Sequence, residues 1–316
     1  MVIVSDIDRG GAFAHLYGTW ALLPPEDQSR VAAFVLNKFR GDPALLAPGP
    51  EILEGLTGVP TIGTVPMVDH GLPDEDGADP RPGTGSGRRV RIVRGPAASN
   101  LDEWWLLRET SDCRWATRPA DLEDAELVIV PGSKLAAADL AWMRATGMDK
   151  ALVAVHAAQV PILAVCGGAQ ILGERIDDPE GMETGGSVSG LGLLPVATVM
   201  EADKRVSHVV RRFRSDLAAP WKALAGLEVP GYEIHYGTTQ PRSPLPNAFL
   251  DGSGVADGPV LAVYLHGMCE DPAVVRALTG QELARGLSEV FEGLADLADE
   301  HLDITMLLAS LDQGPR

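Results

Sequence analysis

The chain has 316 residues, 45% of them hydrophobic, enough to bury two cores of ordinary size and too apolar for a disordered polypeptide. Its 44 acidic against 26 basic residues give a formal charge of −18, which argues against nucleic-acid backbones and anionic membranes as partners. Three dispersed cysteines supply neither a disulfide framework nor a CxxC zinc site, and neither a leader nor an apolar run near the roughly 20 residues of a bilayer span is present, so a cytoplasmic protein with no tightly bound metal is expected.

An apolar strand from Met1 to Ser5 opens the chain and ends at Asp6 and Asp8, followed by Gly10-Gly11. Two aspartates at the C-terminal end of a parallel strand form either a seat for Mg²⁺ beside a nucleotide or an Asx turn that closes the strand. Ala12 to Leu23 reads as a helix stopped by Pro24-Pro25, and Arg30 to Asn37 as a second strand, which together make a βαβ unit. Asn37 and Lys38 then stand at the ligand edge, to meet a nucleotide or to form a solvated loop. A short helix from Glu51 to Thr57 and a strand from Val59 to Pro66 complete a first α/β part, residues 1–68. Residues 69–88 turn to Gly, Pro, Asp and Ser and read as a linker; the Gly83-x-Gly85-x-Gly87 inside it lacks the flanking strand and helix that a phosphate loop needs.

Residues 89–280 read as a second α/β part. Strands from Arg89 to Val93 and from Ala125 to Val130 are separated by a helix, and Pro131-Gly132-Ser133-Lys134 joins the latter to a helix from Leu135 to Ala145. The N–H groups of Gly132 and Ser133 point into the sheet edge as an oxyanion hole, or the segment is a plain βα turn. After a helix from Ala151 to Ala158, the run Pro161 to Val165 ends in Cys166, Gly167-Gly168 follows, and a helical pattern starts at Ala169. This is a strand-to-helix elbow, whose crowded turn two glycines permit and whose helix N-terminus favours a thiolate. The alternative is a buried cysteine closing a parallel strand.

Asp178 to Gly192 reads as irregular and Leu193 to Met200 as a strand. The basic cluster from Val209 to Arg214 either holds a carboxylate-rich substrate or faces acids of its own fold. Within Gly231 to Thr239, Glu233 and His235 lie two residues apart on one strand face. Gly258 to Gly267 is an apolar strand that ends at His266, at the same sheet edge as Cys166. Leu278 to Arg316 reads as two helices joined near Asp303, so residues 281–316 form a helical C-terminal tail. Cys113, Cys269, His15, His156 and His208 are read as structural.

Gly132, Cys166 and His266, in that order, compose a site for thiol acyl transfer, with Cys166 the nucleophile, Gly167 and the Gly132-Ser133 turn the oxyanion donors, and His266 the acid and base. Gln170, on the first helical turn, reaches back to hold a small polar ligand. Met268 stands two residues past His266, where a carboxylate is most useful, so Glu270, Asp271 and Glu233 are the nearest acids available to orient the imidazole.

These motifs carry a resemblance. Val128 to His266 resembles the triad (class I) glutamine amidotransferase domain through Pro131-Gly132-Ser133-Lys134, Cys166-Gly167-Gly168-Ala169-Gln170 and His266-Gly267. More narrowly, Asp6 to Thr19, Asn37 to Asp42, Ser99-Asn100, Gly231 to His235 and the acidic tail are similar to the cobyric acid synthase family of cobalamin biosynthesis. The resemblance implies an α/β fold of two doubly wound, mainly parallel sheets: a partial dethiobiotin-synthetase-like ATP and corrin domain at 1–68, and a class I amidotransferase domain at 89–280. It implies that Cys166 hydrolyses glutamine and that the ammonia amidates carboxylates of adenosylcobyrinic acid a,c-diamide, activated by ATP and Mg²⁺ as acyl phosphates.

There are departures. No G-x-x-x-x-G-K-[ST] occurs, so the chain is expected to be truncated at its N-terminus, with a separate N-terminal P-loop polypeptide as a candidate partner. Ala169 replaces a frequent aromatic residue, and Met268 the acid common in other class I domains. Cobyrinic acid a,c-diamide synthase and a non-catalytic, partner-binding subunit are the alternative readings.

Overall fold

In the Ala33–Phe39 strand, Ala33 and Val35 alternate with Phe34 and Leu36, and all four are buried, so the strand needs cover on both faces. The computed structural model, which describes residues 1–68, 83, 85–282 and 287–312, supplies that cover. Val2–Asp6, Ala33–Phe39 and Thr61–Pro66 form a parallel three-stranded sheet in that order. Leu16 of the Ala12–Ala21 helix and Leu53 of the Gly49–Thr57 helix cluster with Phe34 and Leu36. On the other face Leu302 and Leu307, at the C-terminal helices Leu287–His301 and Ile304–Asp312, cluster with Ala33, Val35 and Ile62. The described residues divide into two compact units, those of Met1–Leu72 with Leu287–Arg316 and those of Pro73–Gly286.

The second unit is built on six strands in the spatial order Val255–Asp257, Val260–Val263, Ile162–Val165, Leu127–Val130, Arg89–Val93 and Asp112–Ala116. Every neighbouring pair is parallel except the first. Val128, Val130, Ile162 and Ala164 join the core with Leu140, Met143 and Leu152 of the helices Ala136–Thr146 and Met148–Ala157. Alternation sends Leu127, Ile129, Leu163 and Leu261 to the opposite face, where they are equally buried. The fold is therefore α/β, with two doubly wound, mainly parallel sheets and helices in its C-terminal region. No helix among the described residues is long and apolar enough to cross a membrane.

Some expectations need correction. The Asp112–Ala116 strand lies where only a helix was expected between Val93 and Ala125, because an edge strand whose residues alternate polar and apolar carries too weak a pattern. It is fastened by Arg91, 2% exposed, whose guanidinium meets Asp124 at 2.7 Å and Asp112 at 3.2 Å. The segment from Asp178 to Gly192 is ordered by its own first residue: the Asp178 carboxylate accepts four backbone N–H groups, from Met182, Glu183, Thr184 and Gly185, at 2.7–3.1 Å. Gly186–Ser189 then forms a strand antiparallel to Arg175–Asp178. The basic cluster faces acids of its own fold, Arg211 pairing with Glu233 at 2.7 Å and with Asp251, and Arg214 with Asp216 at 2.7 Å. Most of the 69–88 segment read as a linker lies outside the described residues; Gly83 donates to the Cys113 carbonyl at 2.8 Å.

Docking of the C-terminal helices on the first sheet depends on Gly63. It bridges Leu302, Asp303 N donates to the Ile62 carbonyl at 2.9 Å, and a Cβ on Gly63 would overlap the His301 carbonyl oxygen. Gly63→Ala is expected to cost about 1–3 kcal/mol in urea unfolding and to speed proteolysis within residues 287–312. Unchanged proteolysis of that segment would contradict the assignment.

Candidate active site

Three adjacent parallel strands end at one edge of the six-stranded sheet: Leu127–Val130 runs into Gly132, Ile162–Val165 into Cys166, and Val260–Val263 into Tyr264 and His266. That edge is where α/β sheets bind ligands. Cys166 has φ 51° and ψ −111°, a conformation that costs a non-glycine residue on the order of 1–3 kcal/mol. Surrounding bonds hold it there: Cys166 N donates to the Val263 carbonyl at 2.8 Å, and Gln170 N to the Cys166 carbonyl at 3.2 Å. Gly168 lies so close to the Val130 carbonyl that a Cβ there would overlap it, while a Cβ on Gly167 would stand 2.7 Å from Ser133 N. The elbow thus brings Cys166, Gly167 and the Ser133 amide together. Ser133 keeps its hydroxyl elsewhere, donating to the buried Asp139 carboxylate at 2.6 Å, and Asp139 also accepts Ala97 N at 2.9 Å.

His266 is 1% exposed, is hydrogen-bonded to Glu103 and interacts with Cys166. Burial works against its charge, but the interactions with Cys166 and Glu103 outweigh it and push the imidazole up to about 10. Gly132 lies against the ring, its Cβ position 2.9 Å from Cε1. Glu103, also 1% exposed, sits 3.2 Å from His266 Nδ1 through Oε1 and accepts Gly267 N at 2.8 Å through Oε2. Burial raises the Glu103 pKa, against the lowering effect of His266 and Gly267.

Sequence reasoning missed Glu103. The signal was present, an acid set directly before the apolar run Trp104-Trp105-Leu106-Leu107, but nothing local ties it to a histidine 163 positions away. The acids favoured instead are engaged elsewhere: Glu233 with Arg211, and Asp271 with Ala273 N at 2.7 Å as a helix cap. Glu270 is partly buried, and burial raises its pKa.

The Glu228–His235 strand crosses this site. Its Tyr232 ring stacks on His266, centroids 5.3 Å apart and planes 18° apart, and Tyr232 and His266 exchange backbone hydrogen bonds at 2.8 and 3.1 Å. The Ile234 carbonyl lies 3.5 Å from Cys166 Sγ. Glu233 and His235 line a cavity of about 280 Å³, together with Ala169, Arg205, Thr239 and Tyr264. Burial lowers the pKa of His235, whose Nδ1 lies 3.1 Å from the Gly237 carbonyl. Gln170 donates to the Tyr236 carbonyl at 3.3 Å, close to the partly buried Tyr264. Burial pushes the Cys113 thiol up to about 12 and raises that of Cys269 well above its ordinary value, so neither is a ready thiolate.

In the first unit, strand register sets Asp6 opposite Asn37. Asp6 accepts Asp8 N at 3.0 Å, an Asx turn, and meets Lys38 Nζ at 3.1 Å; Asp8 pairs with Arg40 at 3.1 Å. The hydrogen bond from Lys38 outweighs the effect of burial and holds the Asp6 carboxyl below its usual range. Asp6, Asp8, Asn37 and Lys38 therefore share one sheet edge. Among the described residues no cluster of three His, Cys, Asp or Glu forms a metal site.

Residues 89–274 match the CobB/CobQ-like glutamine amidotransferase domain. The chain belongs to that family. Curated relatives named cobyric acid synthase include one from Polaromonas naphthalenivorans (strain CJ2), 47% identical over 96% of this chain and 65% of its own length. Another, from Acidovorax ebreus (strain TPSY), is 48% identical over 96% of this chain and 63% of its own. The chain thus spans just under two thirds of these relatives. Among solved structures, a glutamine amidotransferase aligns with a TM-score of 0.45 at 18% identity, over 60% of this chain and 95% of that one.

Gly168→Ala tests the elbow directly. The added methyl must displace the Val130 carbonyl or unwind the Cys166 turn, so the variant is expected to melt several degrees lower and to lose alkylation of Cys166 by a glutamine-analogue electrophile. Labelling at the wild-type rate would show that the turn does not need this glycine.

Proposed function

We propose that residues 89–280 form the glutaminase of a cobyric acid synthase, and that residues 1–68 are part of its dethiobiotin-synthetase-like ATP and corrin domain. The observation that carries the reading is the placement of Cys166, at a strained strand-to-helix turn, at the same sheet edge as His266 on the adjacent parallel strand, where the two side chains interact. Cys166 Sγ attacks the side-chain amide carbon of glutamine, and the oxyanion takes hydrogen bonds from the N–H groups of Gly167 and the Gly132-Ser133 turn. His266, its imidazole charged through neutral pH, protonates the departing nitrogen, and ammonia leaves a thioester on Cys166. The imidazole then removes a proton from water, whose oxygen displaces the thiolate, and glutamate is released. Gln170, on the first helical turn after Cys166, holds the amino-acid substrate.

Ammonia is then used on carboxylates of adenosylcobyrinic acid a,c-diamide that ATP has converted to acyl phosphates. The named relatives support that substrate. Asp6 and Asp8, hard oxygen donors at the end of one strand, would hold Mg²⁺, with Lys38 and Asn37 beside them for the nucleotide, and the ion would neutralise phosphate charge. The 316 residues contain no G-x-x-x-x-G-K-[ST]. The three free cysteines accord with a reducing, cytoplasmic setting.

Glutamate release from glutamine measures the first half-reaction, and Cys166→Ala is expected to lower it roughly 10³-fold or more. Absence of Cys166-dependent release, even with ATP and corrinoid present, would sink the proposal. Conversion of cobyrinic acid rather than its a,c-diamide would reassign the chain to cobyrinic acid a,c-diamide synthase.

A further inference from the structure

We propose that Glu103 is the positioning residue of the thiol site, fixing the His266 ring so that its Nε2 serves Cys166. The inference rests on the glutaminase reading above. A carboxylate this deeply buried costs several kcal/mol unless it is paired and hydrogen-bonded, so its partners report what it is for. Both partners of Glu103 belong to the His266-Gly267 pair: Oε1 meets His266 Nδ1 at 3.2 Å, and Oε2 accepts Gly267 N at 2.8 Å. The other buried carboxylates differ, since Asp139 and Asp178 are occupied by the amides and hydroxyl of the loops they shape.

The position is built to be rigid. Glu103 lies on the single turn Leu101–Trp104, anchored by the fully buried Trp104 and entered through Asn100 at φ 54°. Asn100 Nδ2 donates to the Tyr232 hydroxyl at 2.6 Å, and Tyr232 is the ring stacked on His266. One short turn therefore holds the imidazole at its edge through Glu103 and at its face through Tyr232. The place two residues past His266 is taken by Met268, which is fully buried. Glu103 thus supplies from an earlier strand crossover what the residues after His266 do not.

With the carboxylate on Nδ1, that nitrogen keeps its proton and Nε2 is left to exchange one with sulfur and substrate. Glu103→Gln retains the volume and the Gly267 bond but presents an N–H to Nδ1, which favours the wrong tautomer. The charged or titratable groups facing His266 are Cys166 from the elbow, Glu103 from the Leu101–Trp104 turn and Tyr232 from its strand; Asp102 and Glu270 act on Glu103 through their charge. Removing the Glu103 charge lowers the His266 pKa, so the alkaline limb of the pH profile moves to lower pH.

The test compares wild type, Cys166→Ala, Glu103→Gln and Glu103→Asp for glutamate release against pH, with the His266 ring followed by NMR titration. For Glu103→Gln the expected result is a kcat loss of about 10³-fold. KM for glutamine should stay within about threefold, and the His266 midpoint should move down from near 10. Glu103→Asp should recover part of kcat. Turnover within threefold of wild type, or a loss that tracks melting temperature while the His266 midpoint stays put, overturns the proposal. Failure of the wild type to hydrolyse glutamine overturns the glutaminase reading instead, and the His266 midpoint in Glu103→Gln still decides whether Glu103 governs the ring.

Discussion

The backbone at Cys166 is held where a cysteine does not go unaided. Its positive φ is sustained by a hydrogen bond to the neighbouring Val260–Val263 strand, by closure of the following helical turn, and by the close fit of Gly168 on the Val130 carbonyl. Two of these restraints come from the strands on either side of Ile162–Val165. The turn therefore exists only once three parallel strands are in register, and the reactive geometry is a property of the assembled sheet rather than of the Cys-Gly-Gly tripeptide.

Around that turn, buried charge is confined to positions with several partners. Arg91 has two carboxylates, Asp178 four amides, Asp139 an amide and a hydroxyl, and Glu103 an imidazole and an amide. Three of these four shape local structure: an edge strand, an irregular loop and the turn beside the elbow. The fourth reaches the imidazole that faces Cys166. Full satisfaction of such groups is what makes them tolerable in a low-dielectric interior.

What could be read from the sequence was what is local. The elbow was legible because an apolar strand, a cysteine and two glycines are consecutive, and His266 because it ends an apolar strand. Strand alternation likewise foretold that Glu233 and His235 share a face, and both line one cavity. Glu103 was not legible as a partner of His266, since a contact over 163 positions leaves no periodic trace and the eye goes to acids nearer in sequence. The Asp112–Ala116 strand was lost for a different reason, its polar residues masking a short edge element. Asp6 carried two readings, and the Asx turn is formed in the same place as the row of Asp6, Asp8, Asn37 and Lys38.

The strand that crosses the site works as a partition. Tyr232 faces His266, whereas Glu233 and His235 point into the cavity, and the two-residue period keeps these sets apart. Replacements at Glu233 or His235 can therefore reshape the cavity while the wall toward Cys166 stays intact, so ligand preference and bond-making chemistry are free to diverge at different speeds. An inserted or deleted residue in Glu228–His235 has no such freedom. It would exchange the two faces at once, so this strand should vary in composition among descendants of the chain but hardly in length.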